Sequence, residues 1–223
     1  MKMKPFTEYA LKADRDVVAS WIEGWALSRG AAAPVHVYDG FRVDVGLPDQ
    51  KARYLFAEAS SGVEKVSREI GEPHVFIKVC APPKAVEPLL ASGWSIAPVG
   101  FMMTADDLFW ADTRHSDDYQ CRLEPVPGGY VASALAANGD VAASGRVFLV
   151  GSTAVFDQIA THPDHRRRGL GRSIMRELGA VAFRDGATKG SLVATPDGRA
   201  LYSALGWRPH SLITTAVRMT ASR

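Results

Sequence analysis

The chain has 223 residues, 47% of them apolar and 22% charged, the balance of a globular protein with material for a sizeable core. Its net charge of +2 implies no general polyanion-binding surface, and Cys80 and Cys121 lie far apart and match no metal-ligand spacing. The opening Met-Lys-Met-Lys-Pro-Phe-Thr-Glu lacks the apolar run of a secretion signal, and no stretch approaches the ~18 uncharged apolar residues of a membrane helix, so a soluble cytoplasmic protein with reduced thiols and no metal is expected.

Residues 14–27 carry Val17, Val18, Trp21, Ile22 and Trp25 at helical spacing, which predicts an amphipathic helix with its tryptophans in the core. Residues 35–45 read as extended, broken by Asp39-Gly40. A helix is predicted over 57–70, ending near Gly71, then a short apolar strand over 74–80. A short helix over 82–91 stops at Ser92-Gly93, and 94–103 is again extended. Residues 105–118 are polar and rich in aspartate, the best candidate for a linker.

Beyond it the pattern changes. Residues 130–137 and 141–150 are strand-like and flank Asn138-Gly139, a strong hairpin signal. Gly151-Ser152 turns the chain into a third strand over 154–160. A long helix over 169–183, a strand over 191–195, a short helix over 198–205 and an extended run over 207–219 with a break near Pro209 complete the chain. An antiparallel meander followed by crossover helices predicts an α/β protein with a mixed sheet.

The informative stretch is 159–172, Ile-Ala-Thr-His-Pro-Asp-His-Arg-Arg-Arg-Gly-Leu-Gly-Arg. Pro163 stops a strand, and Arg166, Gly169 and Gly171 form R-x-x-G-x-G where a helix begins. The first turn of a helix offers unpaired N–H groups and a partial positive charge. Glycine lets a phosphate come close to that backbone, and Arg166, Arg167 and Arg168 add cationic charge. A basic helix start with ordinary glycine turns is the plainer alternative. A Walker loop would need Lys-Ser or Lys-Thr after its last glycine, where Arg172-Ser173 stands. A Rossmann turn would need a third glycine and a βαβ start.

The segment resembles the acetyl-CoA loop of the GNAT (Gcn5-related N-acetyltransferase) superfamily. Residues 196–207, Pro-Asp-Gly-Arg-Ala-Leu-Tyr-Ser-Ala-Leu-Gly-Trp, are similar to that family's G-x-x-L-Y-x-x-L-G-F ending. The resemblance spans roughly 120–219 and implies the GNAT acyl-CoA acyltransferase fold there, with acetyl-CoA as co-substrate. It assigns the main-chain amides of Arg166, Arg167, Arg168, Gly169, Leu170 and Gly171 to the pyrophosphate, with Arg172 beside them. The backbones of Ile159 and Thr161, with Ala160 between, are assigned to the pantetheine. Tyr202 is placed beside the coenzyme sulfur as general acid, a phenol being protonated at neutral pH. Asp157 is the candidate base, two residues before Ile159 and expected on the same strand face. Ala154 and Val155 stand where relatives often carry a glutamate, which leaves the base open. His162 and His165 flank the loop and are expected to be solvated.

Residues 89–94, Leu-Leu-Ala-Ser-Gly-Trp, parallel 202–207, Tyr-Ser-Ala-Leu-Gly-Trp, and both continue towards Met-Thr-Ala. This suggests a tandem protein with a degenerate GNAT-like domain over 1–110 and a catalytic one over 119–223. In that alignment Leu89 takes the place of Tyr202, and the first half has no phosphate loop. The expected function is acetyl transfer to a primary amine by direct attack, with a small-molecule acceptor favoured over a protein and neither nucleic acid nor membrane as partner. A non-catalytic acyl-CoA sensor is the alternative, and a nucleic-acid module built on residues 165–172 is the weakest reading.

Overall fold

The computed structural model describes residues 13–108 and 118–220. Helix α1 (Arg15–Arg29) starts where the Asp14 carboxylate accepts the amides of Asp16 and Val17, satisfying two of the donors a helix start leaves open. It ends at Gly30, in the left-handed conformation that glycine adopts without strain. Strands β1 (Val35–Val37), β2 (Gly40–Leu47), β3 (Gln50–Phe56) and β4 (Val75–Val79) follow, with α2 (Ser61–Glu69) between β3 and β4. Next come α3 (Pro83–Val86), β5 (Trp94–Ile96) and β6 (Gly100–Ala105). The second half contains β7 (Gln120–Val126), β8 (Gly129–Leu135), β9 (Val141–Val150), β10 (Thr153–Thr161), α4 (Leu170–Arg184), β11 (Lys189–Ala194), α5 (Pro196–Ala204) and β12 (Arg208–Arg218).

All strands form one mixed sheet in the order β1-β2-β3-β4-β12-β6-β11-β10-β9-β8-β7, with β5 also against β12. β3 and β4 are parallel, as are β10 and β11. The order is nearly a palindrome, because each half sends its last strand across: β12 pairs with β4, and β6 pairs with β11. A boundary near residue 110 is therefore a point in chain order and not a gap in the sheet. The turns before these exchanged segments match as well, Gly93 and Gly206 both having φ +87°. Most of the expected linker, residues 109–117, lies outside the described residues.

The sheet curls around α1. Trp21, Ile22 and Trp25 pack against Val43 and Leu55 of the first half, Val155 of the second, and Met102 and Ile213 of the exchanged strands. Gly24 is what lets the helix come this close: a Cβ there would lie 2.5 Å from the Val155 side chain. On the opposite face, Ile174, Met175 and Leu178 of α4 close a core over Ala132, Val147, Phe156 and Leu192, and α2 covers Tyr54, Phe56 and Ile77 through Val63 and Val66.

The mixed-sheet expectation holds, with local differences. β3 and β7 were not foreseen as strands. The expected extended run over 94–103 is two strands, because its ends pair with different stretches of β12: Trp94 sits opposite Arg218 and Gly100 opposite Ile213. The expected helix over 82–91 is α3 followed by a 3-10 turn at Glu87–Leu89, since Pro88 has no N–H to continue an α-helix. The break near Pro209 is a bulge in β12, where register shifts between Pro209 and Ser211.

Candidate active site

The site is made by a failure of two strands to stay paired. β10 and β11 are in register from Thr153/Lys189 to Val155/Ser191, and there the pairing stops. β10 runs on to Thr161 and β11 to Ala194, so their ends splay. On its other edge β10 slips against β9 between Asp157 and Ala160, with Gln158 at φ +55°. That slip is a bulge, a device that re-aims side chains and frees backbone groups. It leaves Gln158 and Ile159 outside both ladders.

A cleft of about 780 Å³ opens at the splay, lined by Ile159, Ala160 and Thr161 of β10, by Arg166, Arg167, Gly169, Leu170, Gly171 and Arg172 of the loop and α4, and by α5 residues up to Leu201. Gly169 caps α4 at φ +80°, and the Ser173 N–H is the one that returns to its carbonyl, at 3.1 Å. The amides before Ser173 are the donors a helix start leaves open. A Cβ on Gly169 would meet no atom within 4 Å, so the backbone there is bare on the cleft side and an anionic group fits against it. At Gly171 a Cβ would come within 3.0 Å of Leu201, so that glycine lets α4 pack on α5.

The arginines divide. Arg166 folds back to the Thr161 carbonyl through Nε at 3.4 Å, and Arg166, Arg167 and Arg172 line the cleft. The Arg168 side chain donates to the Tyr119 hydroxyl at 3.0 Å, which also meets His165 Nδ1 at 3.0 Å. His162 accepts the Asp164 amide at 3.4 Å as a local turn contact.

Tyr202, on α5, is 7% exposed and its ring is tilted at 58° to that of Trp207, with ring centroids 6.2 Å apart. Its ring lies over Gly198, where a Cβ would touch it at 3.1 Å, and Gly198 lines the cleft. Burial pushes the phenol up to about 12, with the Asp157 charge adding to the effect, so the hydroxyl carries its proton throughout the physiological range.

Asp157 does not share a face with Ile159. The bulge inserts Gln158, so Asp157 faces α1 while Ile159 packs with the core under α4. The Asp157 carboxylate is clasped by the end of α1: Arg29 donates through Nε at 2.7 Å and Nη2 at 3.3 Å, and Ser28 Oγ donates at 2.6 Å. A second recess of about 400 Å³ opens on this face beside Ser144, Arg146 and Gln158, and shares Ile159 and Ala160 with the cleft.

The first half lacks the equivalent opening for visible reasons. β3 and β4 stay paired up to Phe56 and Val79, and the Asp39 carboxylate stands against Gly62 at the start of α2. A carboxylate of the protein occupies the place that a phosphate would need.

Sequence reasoning missed Arg29, Arg53 and Lys78. The signal for Arg53 was the alternation of β3, where Ala52, Tyr54 and Phe56 share one face and Arg53 and Leu55 the other.

A mixed sheet with splayed central strands and an amide-rich helix start beside the splay defines the GNAT acyl-CoA acyltransferase fold. Residues 99–207 match the family described as the acetyltransferase (GNAT) family. A GCN5-related N-acetyltransferase from Kribbella flavida has the same fold, with 13% identity, a TM-score of 0.66 and coverage of 92% of this chain and 96% of that one. A putative GNAT-family acetyltransferase from Novosphingobium aromaticivorans shares 17% identity at a TM-score of 0.57, covering 91% and 97%. A tandem GNAT protein from the clavulanic acid biosynthesis pathway shares 15% at 0.52, covering 77% and 76%. No curated protein matches the sequence. Among the described residues no helix is long and apolar enough to cross a membrane.

Proposed function

We propose that this protein transfers an acetyl group from acetyl-CoA to a primary amine, with a small-molecule acceptor. The observation that supports it most directly is the cleft at the β10/β11 splay, with the bare amides of α4 at its rim. The pyrophosphate would rest on the amides between Arg167 and Arg172, with Arg166 and Arg172 supplying charge. The pantetheine would run along Ile159, Ala160 and Thr161, whose edge towards β11 is unpaired.

The amine approaches from the α1 face, opposite α4. Its lone pair attacks the thioester carbonyl carbon, the new C–N bond forms, and the C–S bond breaks with its electron pair going to sulfur. The thiolate takes the phenolic proton of Tyr202, and the proton lost by the amine restores it through water. Backbone N–H groups at the bulge, outside both ladders, are the available donors for the carbonyl oxygen as it gains charge. Asp157 is a positioning residue in this reading: to accept a proton it would have to release Arg29, so it fixes α1 against the bulge instead. The first half supplies one wall of the acceptor space and no chemistry.

One observation favours the sensor as a second reading, namely that both oxygens of the best-placed carboxylate are engaged. Calorimetry with acetyl-CoA, joined to thiol release over a panel of amines, separates the two. Binding with turnover supports the transferase, and tight binding with no turnover on any amine supports the sensor. Loss of acetyl-CoA binding in Gly169→Glu, with the fold retained by circular dichroism, ties the affinity to the helix start; unchanged affinity contradicts the site.

A further inference from the structure

On the α1 face, Arg53 and Lys78 are partly buried cations that form no ion pair with a carboxylate among the described residues. Arg53 of β3 lays its guanidinium on the Trp25 ring, 3.7 Å from the centroid, while Arg29 stands 5.7 Å from the same ring. With its amide oxygen turned inward, Gln50 takes Arg53 Nη2 at 2.6 Å and Nε at 3.2 Å. Among the described residues nothing accepts from Nη1. Lys78 of β4 gives one N–H to Thr215 Oγ1 at 2.9 Å, and no acceptor among the described residues takes the other two. The nearby carboxylate, Asp157, already holds Arg29 through both oxygens.

These groups feel one another. Burial lowers Arg53 to about 9, helped by the charge of Arg29 and opposed by that of Asp157. Burial lowers Lys78 to about 7, with the Arg53 charge contributing. A partly buried cation without an ion-pair partner is costly, and the fold retains two on neighbouring strands. They stand on the same face as Asp157, whose charge also reaches the Tyr202 phenol. The cluster thus lies on the acceptor side of the proposed reaction centre.

We propose that Arg53 and Lys78 form a carboxylate-recognition subsite, so that the acceptor is an amine that also bears a carboxylate. This rests on the transferase reading above. The guanidinium presents a planar fork that matches the two oxygens of a carboxylate. Trp25 holds it flat from beneath and Gln50 from one side, leaving Nη1 and the Lys78 ammonium to receive the anion. The amine would then point to the splay.

The test compares each amino acid with its carboxamide and its decarboxylated amine, using acetyl-CoA and reading thiol release. The wild type is expected to favour the carboxylate form by tenfold or more in kcat/KM. In Arg53→Met that preference falls to within threefold, through loss on the carboxylate form alone; Arg53→Lys, which keeps charge and loses the fork, gives an intermediate ratio and guards against misfolding. Equal loss on charged and neutral amines, or a wild-type preference for neutral or phosphate-bearing amines, overturns the proposal and leaves the transferase intact. Calorimetry with N-acetyl amino acids and their amides, in the presence of CoA, needs no turnover. Arg53-dependent binding of the acids alone supports the subsite even if no amine reacts, and binding of neither form overturns it.

Discussion

Arg29, the last residue of α1, grips Asp157 of β10 through Nε at 2.7 Å and Nη2 at 3.3 Å, across 128 positions of sequence. The pair joins the first half of the chain to the bulge that opens the cleft. Asp157 is 16% exposed and Arg29 39%, so the link is worth less than a fully buried pair and more than a surface one. Asp157→Asn is expected to destabilise the fold by about 2 kcal/mol, seen as a melting temperature lowered by roughly 4–8 °C. Activity should fall while the acidic limb of the kcat/KM profile keeps its midpoint. If that limb disappears, Asp157 is the base and its ion pair with Arg29 opens during turnover.

Tyr202 carries a different prediction because its proton is used only when the thiolate leaves. Tyr202→Phe retains the ring packing against Trp207 and Gly198 and removes only the hydroxyl. A general acid contributes roughly 10²-fold or more, so kcat should fall by about that factor with KM for acetyl-CoA within twofold. Unchanged kcat assigns the proton transfer to another group.

How legible was this site in the sequence? The helix start was fully visible, because a left-handed cap at Gly169 and a close contact at Gly171 both demand glycine, and glycine spacing is a sequence property. The splay was legible only through the family resemblance, since nothing in Asp157-Gln158-Ile159 announces a bulge, and the face of Asp157 was misassigned for that reason. The strand exchange was invisible: β6 and β12 read as ordinary strands, and their neighbours are chosen by long-range packing around α1. Arg53 and Lys78 were missed because a charged residue in an apolar strand is usually solvent-facing, and only the curl of the sheet leaves these two partly buried.

Lys78 gives a prediction with a sign. Burial lowers its ammonium from the ordinary lysine value of 10.5 to about 7 in the folded protein. Between those values the unfolded chain binds the extra proton, so stability rises with pH through this window, and the penalty is complete below pH 7. Lys78→Met removes a partly buried charge at similar length and should raise stability at pH 7 by about 1 kcal/mol, with a flatter dependence from pH 7 to 10 in urea titrations. If Lys78 receives an anion, the wild type also binds carboxylate acceptors more weakly as pH climbs past 7, since the free ammonium loses its proton there. Arg53 on β3, Thr215 on β12 and the neutral thiol of Cys80, raised by burial to about 12, are its immediate company. None of them titrates near pH 7, so the inflection belongs to Lys78. A less stable Lys78→Met, or pH-independent carboxylate affinity in the wild type, contradicts this account.

Gly24 tests whether the position of α1 governs the site. A methyl there would sit 2.5 Å from Cβ and Cγ2 of Val155, closer than side-chain atoms tolerate, so Gly24→Ala must push the helix off β10. Overpacking of this kind costs about 1–3 kcal/mol, more than the roughly 1 kcal/mol that alanine gains over glycine inside a helix. The displaced helix carries Ser28 and Arg29 with it and loosens their hold on Asp157, although Gly24 touches neither cleft nor recess. The expected result is a lower melting temperature together with reduced turnover, and acetyl-CoA affinity unchanged because α4 lies on the opposite face. Restoring space with Val155→Ala in the same chain should recover most of the turnover. Failure of that rescue would mean that the tie between α1 and the bulge is dispensable for the reaction.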